Sequence, residues 1–260
     1  MKILSKMTVA VAVLCAATLV AQAEQVKVGI AAEPYPPFSS LNASGKWVGW
    51  EIEIIDAICG EAKLDCVITP VAWDGIIPSL TAKKIDVIMN SMSITNERRK
   101  TIDFSDKYYD SSGYSIIGPR GVALEPTAEG LKGKILGVQV STAAQIYATK
   151  HFSDSLAEIK TYQTQDEVTQ DLAAGRIDAI LISPITIGEF LKSERGKACC
   201  EIKGEVAKDP EVPDLGVGAG LRKGDTELKD KINAAIKEIR ANGKYNEISK
   251  KYFDFDIYGD

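Results

Sequence analysis

The sequence predicts an α/β protein of two lobes, each a mostly parallel sheet covered by helices. Three observations predict it. Short β-branched runs alternate with amphipathic segments from Val26 onward, the rhythm restarts after Tyr108-Tyr109-Asp110-Ser111-Ser112-Gly113, and one six-residue pattern occurs in both halves. That pattern is basic-Ile-Asp-x-Ile-apolar, at Lys84-Ile85-Asp86-Val87-Ile88-Met89 and again at Arg176-Ile177-Asp178-Ala179-Ile180-Leu181. Each copy is followed within two residues by a serine.

Each element has a local reason. Residues 26–30 are an alternating β-branched run and read as a strand; residues 51–62 place Ile52, Ile55 and Ile58 on one side of a helix. Residues 66–71 read as a strand, 75–83 as a helix and 85–89 as a strand, which is βαβ order. In the second half, strands near 114–117, 135–139 and 177–181 are separated by helices near 142–151 and 166–174. Asp209-Pro210-Glu211-Val212-Pro213-Asp214, rich in proline and acid, reads as a second linker, followed by an apolar alternation at 215–221 and two terminal helices. Two linkers between two lobes predict a hinge, with the C-terminal part returning to the first lobe. The expected division is a leader at 1–23, a discontinuous first lobe at 24–110 plus 213–260, and a second lobe at 111–212.

The chain has 260 residues, 45% hydrophobic and 26% charged, which fits about two soluble domains and excludes collagenous, disordered and multi-span membrane classes. Its net charge is −5 and it has no Lys/Arg run, so the electrostatic footprint of a nucleic-acid binder is missing. Lys2 and Lys6, the apolar run at 7–20 and Ala21-Gln22-Ala23 form an export signal with cleavage near Glu24. That run is shorter than the ~20 residues a membrane span needs. Leu14 before Cys15 disfavours lipidation.

Four cysteines follow the signal. Cys59 at a helix end and Cys66 at a strand start suit a disulfide closing a short loop, with two buried thiols as the alternative. Adjacent Cys199 and Cys200 suit neither an ordinary disulfide nor a zinc site, and their state stays open.

Catalytic inventories come up short. His151 is the single histidine and reads as a dipole partner at a helix C-terminus. Phosphate-loop, zinc and calcium spacings are missing, so no metal and no cofactor is implied. The densest constellation is Asn90-Ser91-Met92-Ser93-Ile94-Thr95-Asn96-Glu97-Arg98, just past a strand's carboxyl end, where open parallel sheets place ligands. Thr95 caps a helix whose N–H groups, with serine hydroxyls and the Arg98 guanidinium, make a carboxylate socket. A salt bridge from Arg98 to a nearby Asp would satisfy it equally well. Trp73 and Tyr35, on loops past other strand ends, are ring walls for a ligand or hydrophobic closure of the sheet end. Glu33 meets a cationic or hydroxylated ligand end or is solvated. In the second lobe, Ser141 and Thr142 precede a helix and Ser183 lies past the second copy of the repeated pattern, which gives the cleft polar groups from both lobes.

Pro36-Pro37-Phe38, Val48-Gly49-Trp50-Glu51, Trp73-Asp74-Gly75-Ile76-Ile77-Pro78-Ser79-Leu80, Ser91-Met92-Ser93-Ile94-Thr95, Asp103-Phe104-Ser105 and Lys251-Tyr252-Phe253 resemble the periplasmic polar amino-acid-binding proteins of ABC importers. The lysine/arginine/ornithine-, histidine- and opine-binding branch of solute-binding protein family 3 is the most similar, over essentially the whole mature chain. The resemblance implies the type II periplasmic-binding-protein fold, two α/β lobes joined by two hinge strands and closing on one ligand. It implies that Arg98 binds an α-carboxylate with Ser93 and a backbone N–H near Thr142, that Ser91 and Ser93 receive the ammonium group and carboxylate, and that Trp73 and Tyr35 sandwich the side chain. Asn90, Glu33 and Gln139 complete the expected set, and Cys59–Cys66 matches the branch's disulfide.

Two departures stand out. Ser183 occupies the place where these binders usually hold an aspartate for the ammonium group, and Gln139-Val140-Ser141-Thr142 lacks the family glycine before its Ser/Thr pair. Opine binders tend to be neutral at the first position, so the expected ligand is a polar amino acid or an opine-type conjugate. The expected function is a monomeric, non-enzymatic periplasmic component that delivers its ligand to a membrane permease. The alternatives are a secreted cyclohexadienyl dehydratase on the same fold, with Glu33 as general acid, and a sensory protein docking on a receptor.

Overall fold

The computed structural model describes residues 25–110, 113–209 and 215–259. The expected leader, Ser111-Ser112, and the second linker beyond Asp209 lie outside the described residues. From Gln25 the order is β1 (Gln25–Ala31), a hairpin of β2 (Ser40–Leu41) and β3 (Trp47–Val48), α1 (Trp50–Glu61), β4 (Asp65–Val71), α2 (Ile76–Thr81), β5 (Val87–Ile88), α3 (Asn96–Thr101) and β6 (Asp103–Tyr109). Then come β7 (Ser115–Pro119), β8 (Ile135–Gln139), α4 (Ala143–Phe152), β9 (Glu158–Tyr162), α5 (Gln165–Ala173), β10 (Ala179–Ile182), α6 (Pro184–Lys192), α7 (Glu194–Cys199) and β11 (Cys200–Glu205). β12 (Val217–Leu221), α8 (Thr226–Ala241) and α9 (Lys244–Ser249) follow.

Two five-stranded sheets result, ordered β4-β1-β5-β12-β6 and β9-β8-β10-β7-β11. In each, the first three strands are parallel and the fourth runs against both of its neighbours. The two copies of the repeated pattern therefore hold equivalent places, at β5 and β10. Their aspartates do the same work. Asp86 Oδ2 accepts the Lys27 N–H of β1 at 3.0 Å, and Asp178 Oδ2 accepts the Ile135 N–H of β8 at 2.8 Å. Their isoleucines also match: a Cβ on Gly29 would lie 2.3 Å from Ile85 Cδ1, and one on Gly137 would lie 2.5 Å from Ile177 Cδ1.

Each sheet is covered on both faces, which its apolar strands require. In the first, Trp50, Ile54, Ile55 and Ile58 of α1 pack with Ile232, Ile236 and Ile239 of α8 on one face, and Ile76, Leu80, Ile85 and Ile102 fill the other. Trp50 is fully buried and gives its indole N–H to Ser249 Oγ at 3.0 Å, tying α1 to α9. In the second, α4 covers one face through Tyr147, Ala148 and Phe152, while Val168, Leu172 and Ile187 cover the other.

Several expectations shift. The helix expected at 75–83 begins as a 3-10 turn, Trp73–Gly75, and its α part ends at Thr81; Lys83 then takes φ +59°. The strand expected at 85–89 keeps ladder pairing only at Val87–Ile88. Cys59 and Cys66 are joined across a sequence separation of 7, a loop whose closure contributes about 2–3 kcal/mol in the chain-entropy model. Cys199 and Cys200, whose state the sequence leaves open, form a vicinal disulfide where α7 gives way to β11.

Candidate functional site

The parallel strands of both sheets end at one cleft. It is lined from the first lobe by Glu33, Tyr35, Trp73, Asn90, Ser91, Ser93, Arg98 and Tyr109, and from the second by Tyr114, Gln139, Thr142, Ala143, Ala144, Gln165, Ser183 and Thr186. Strand ends explain the placement. Glu33 and Tyr35 follow β1, Trp73 follows β4, Asn90 to Ser93 follow β5, Gln139 ends β8, Gln165 follows β9, and Ser183 and Thr186 follow β10.

Arg98 sits in the first turn of α3, whose N-cap Thr95 accepts the Arg98 N–H at 3.2 Å. Its guanidinium is buried and donates to two carbonyls, Ser93 at 2.8 Å and Ser141 of the second lobe at 2.9 Å, and lies 5.5 Å from the Trp73 ring. Among the described residues no carboxylate pairs with it. Burial pushes its pKa down to about 10, so at neutral pH it is a desolvated cation lacking an anion. The alternative of a salt bridge to a nearby Asp is excluded.

Around it the rings are fixed. Trp73 donates its indole N–H across the cleft to the Val140 carbonyl at 3.0 Å, and the Tyr35 hydroxyl meets Thr186 Oγ1 at 2.9 Å. Burial holds the Tyr35 phenol well above its ordinary range. Glu33 is part-buried, and its Oε2 is enclosed without a hydrogen-bond partner.

Other expected residues serve the fold as well. Asn90 Oδ1 accepts the Ala31 N–H at 2.8 Å. Thr142 is the N-cap of α4, accepting the Gln145 N–H at 3.1 Å and donating to the Gln139 carbonyl at 2.7 Å. Gln139 is held by Gln163 and Gln165. Ser141 is not on the cleft wall; it takes φ +60° and supplies the carbonyl that Arg98 reaches. Ser141, directly before the cap, thus holds the backbone conformation that favours glycine while carrying a side chain. His151 lies in the last turn of α4 as expected, and its Nε2 meets Asp209 Oδ2 at 2.7 Å.

Ser91 has φ +51° and is gripped by Glu51, a residue not singled out from sequence. Glu51 is 1% exposed; Oε1 accepts the Ser91 N–H at 2.6 Å and the Tyr108 hydroxyl, and Oε2 accepts the Ser91 hydroxyl at 3.1 Å. Tyr109, Tyr114, Gln165 and Thr186 were also missed. The tyrosines flank the first linker, where periodicity is silent; Thr186 follows the end of β10, a signal that would have found it, whereas Gln165 follows β9, a strand that the sequence pattern does not reveal. Among the described residues no cluster suits a metal ion, and no helix is long and apolar enough to cross a membrane.

Known proteins resemble the chain throughout. The model of bacterial extracellular solute-binding proteins, family 3, matches residues 26–255. The L-arginine-binding protein of Pseudomonas aeruginosa is 40% identical over 235 residues, covering 90% of each chain. The histidine-binding periplasmic protein of Salmonella typhimurium is also 40% identical, over 90% of each chain. An ancestral arginine-binding protein, solved with arginine bound, superposes with a TM-score of 0.79 at 34% identity, covering 88% of this chain and 98% of that one.

Proposed function

The chain belongs to the bacterial extracellular solute-binding proteins, family 3, and from that premise we propose that it captures a polar amino acid in the periplasm and delivers it to an ABC-importer permease. It acts as a monomer, exported by the signal at 1–23. One observation carries this reading: Arg98 is a buried cation at the cleft and, among the described residues, no carboxylate pairs with it. A ligand α-carboxylate is the anion it lacks, and a bidentate fork suits it. Trp73 and Tyr35 form the walls for the ligand side chain, and Glu33 offers its enclosed oxygen to a donor on it.

The chain is a binding protein and not an enzyme, in line with its named relatives. A dehydratase is correspondingly less supported. A second reading, an opine-type conjugate, is favoured by the second lobe, whose cleft residues Tyr114, Gln139, Thr142, Gln165, Ser183 and Thr186 include no acid. Thermal-shift screening of the mature protein against the amino acids and against octopine and nopaline tests both. A rise in Tm of several degrees for a cationic amino acid supports the first, and a larger rise for the conjugates supports the second. A flat panel overturns both. Co-purification with a permease tests delivery.

A further inference from the structure

We propose that Glu51 is the positioning residue for the ligand's α-ammonium group, holding Ser91 toward the cleft and supplying from beneath it the negative charge that Ser183 does not. This rests on the amino-acid reading above.

A zwitterionic amino acid brings two charges only a few ångströms apart. With the carboxylate on Arg98, the ammonium lies beside the same loop. Ser93 of that loop accepts from Arg98 Nη1 at 2.8 Å, and Ser91, two residues earlier, lines the cleft. Among the described residues, no charged side chain of the second lobe lines the cleft. An ammonium buried there without a carboxylate nearby would be costly. Glu51 is the buried carboxylate in contact with that loop, and three features fit it to the role.

Its position is the first. Both oxygens are spent on Ser91 and Tyr108, and among the described residues no lysine or arginine pairs with it, so its charge is not cancelled locally. The second is transmission. The Ser91 hydroxyl donates to Glu51, which leaves the serine oxygen's lone pairs as acceptors and polarises them. The third is strain. Ser91 holds φ +51°, uncommon for a residue with a side chain, and the Glu51 grip on both its N–H and its hydroxyl fixes that conformation. Burial raises the Glu51 pKa, and an arriving ammonium favours the ionised form again.

The test is a charge rescue read by calorimetric titration with L-arginine, L-lysine and L-histidine. Glu51→Gln keeps the shape and one acceptor oxygen for the Ser91 N–H and the Tyr108 hydroxyl, removes the charge and turns the contact with the Ser91 hydroxyl from acceptor to donor; it is expected to weaken binding tenfold or more. Ser183→Asp placed on that variant is expected to recover most of the loss. Ser183→Asp is also measured alone: a gain larger on the Gln background than on the wild type is expected for a replaced charge, whereas a role confined to shaping the loop gives the same gain on both. Should the Gln variant fail to fold, Ser91→Ala, which removes the hydroxyl that carries the charge, is expected to show the same loss and the same rescue. Unchanged affinity in Glu51→Gln, or a double variant as weak as the single, overturns the proposal alone. Wild-type protein indifferent to all three amino acids overturns the amino-acid reading, and this proposal with it.

Discussion

Arg98 and Glu51 are buried groups of opposite sign bonded to the same loop, at Ser93 and Ser91, yet neither neutralises the other: the arginine bonds to carbonyls and the glutamate to hydroxyls and an N–H. Each is therefore held at a cost that a zwitterion offsets. For Arg98→Ala we expect a loss of at least ~100-fold in ligand affinity, consistent with a charge-assisted pair worth roughly 3 kcal/mol, while the melting temperature of the free protein holds or rises. Calorimetry and a thermal melt check this, and normal affinity would refute the socket. For Glu51 the sign follows from its raised pKa. The folded protein takes up the proton more readily than the unfolded chain, whose group titrates near the ordinary 4.5, so stability falls as pH climbs from there through the folded pKa. Glu51→Gln is expected to be more stable than the wild type at pH 7, with the gap closing near pH 4; urea melts at both pH values measure it. Arg98 was legible from sequence because a cation in a first helical turn is out of place against the dipole. Glu51 was not, because an acid near a helix start is ordinary and only the tertiary fold shows it buried.

At the scale of elements, the repeated pattern was the most informative string in the chain. It marked β5 and β10 because each has to satisfy the same neighbour: an aspartate for an N–H of the adjacent parallel strand, and an isoleucine over that strand's glycine. Gly29→Ala and Gly137→Ala are accordingly expected to destabilise the protein by about 1–3 kcal/mol each, because the new methyl overlaps the isoleucine Cδ1. Denaturant melts that find either variant within about 0.5 kcal/mol of the wild type would show that the isoleucine moves freely. Helices with an apolar side, α1 and α4, were read to within a residue or two of their bounds. β9 and β11 were not read: Glu158–Tyr162 and Cys200–Glu205 lie at sheet edges, where charged residues at every second position replace the continuous β-branched runs that mark the inner strands.

At the scale of the whole molecule, hydrogen bonds cross the cleft from Arg98 Nη2 to the Ser141 carbonyl, from Trp73 Nε1 to the Val140 carbonyl, and between the Tyr35 hydroxyl and Thr186 Oγ1. Sequence gave the first-lobe partner in every case as a ligand residue and could not give its second use, since the partners are backbone carbonyls or a helix-start threonine in the other lobe. The same side chains thus line the ligand space and bridge the two lobes, so binding is expected to be coupled to the meeting of the lobes. Trp73→Phe separates the two roles. It keeps an aromatic wall beside Arg98 and deletes the indole N–H, removing one bond worth about 0.5–1.5 kcal/mol, or roughly 2- to 13-fold in affinity. Because that bond exists only when the lobes meet, the loss is expected in dissociation, with the association rate nearly unchanged. Stopped-flow fluorescence from the remaining tryptophans reads both rates. An association rate that falls while dissociation stays constant would show that the indole guides ligand entry and does not latch the lobes.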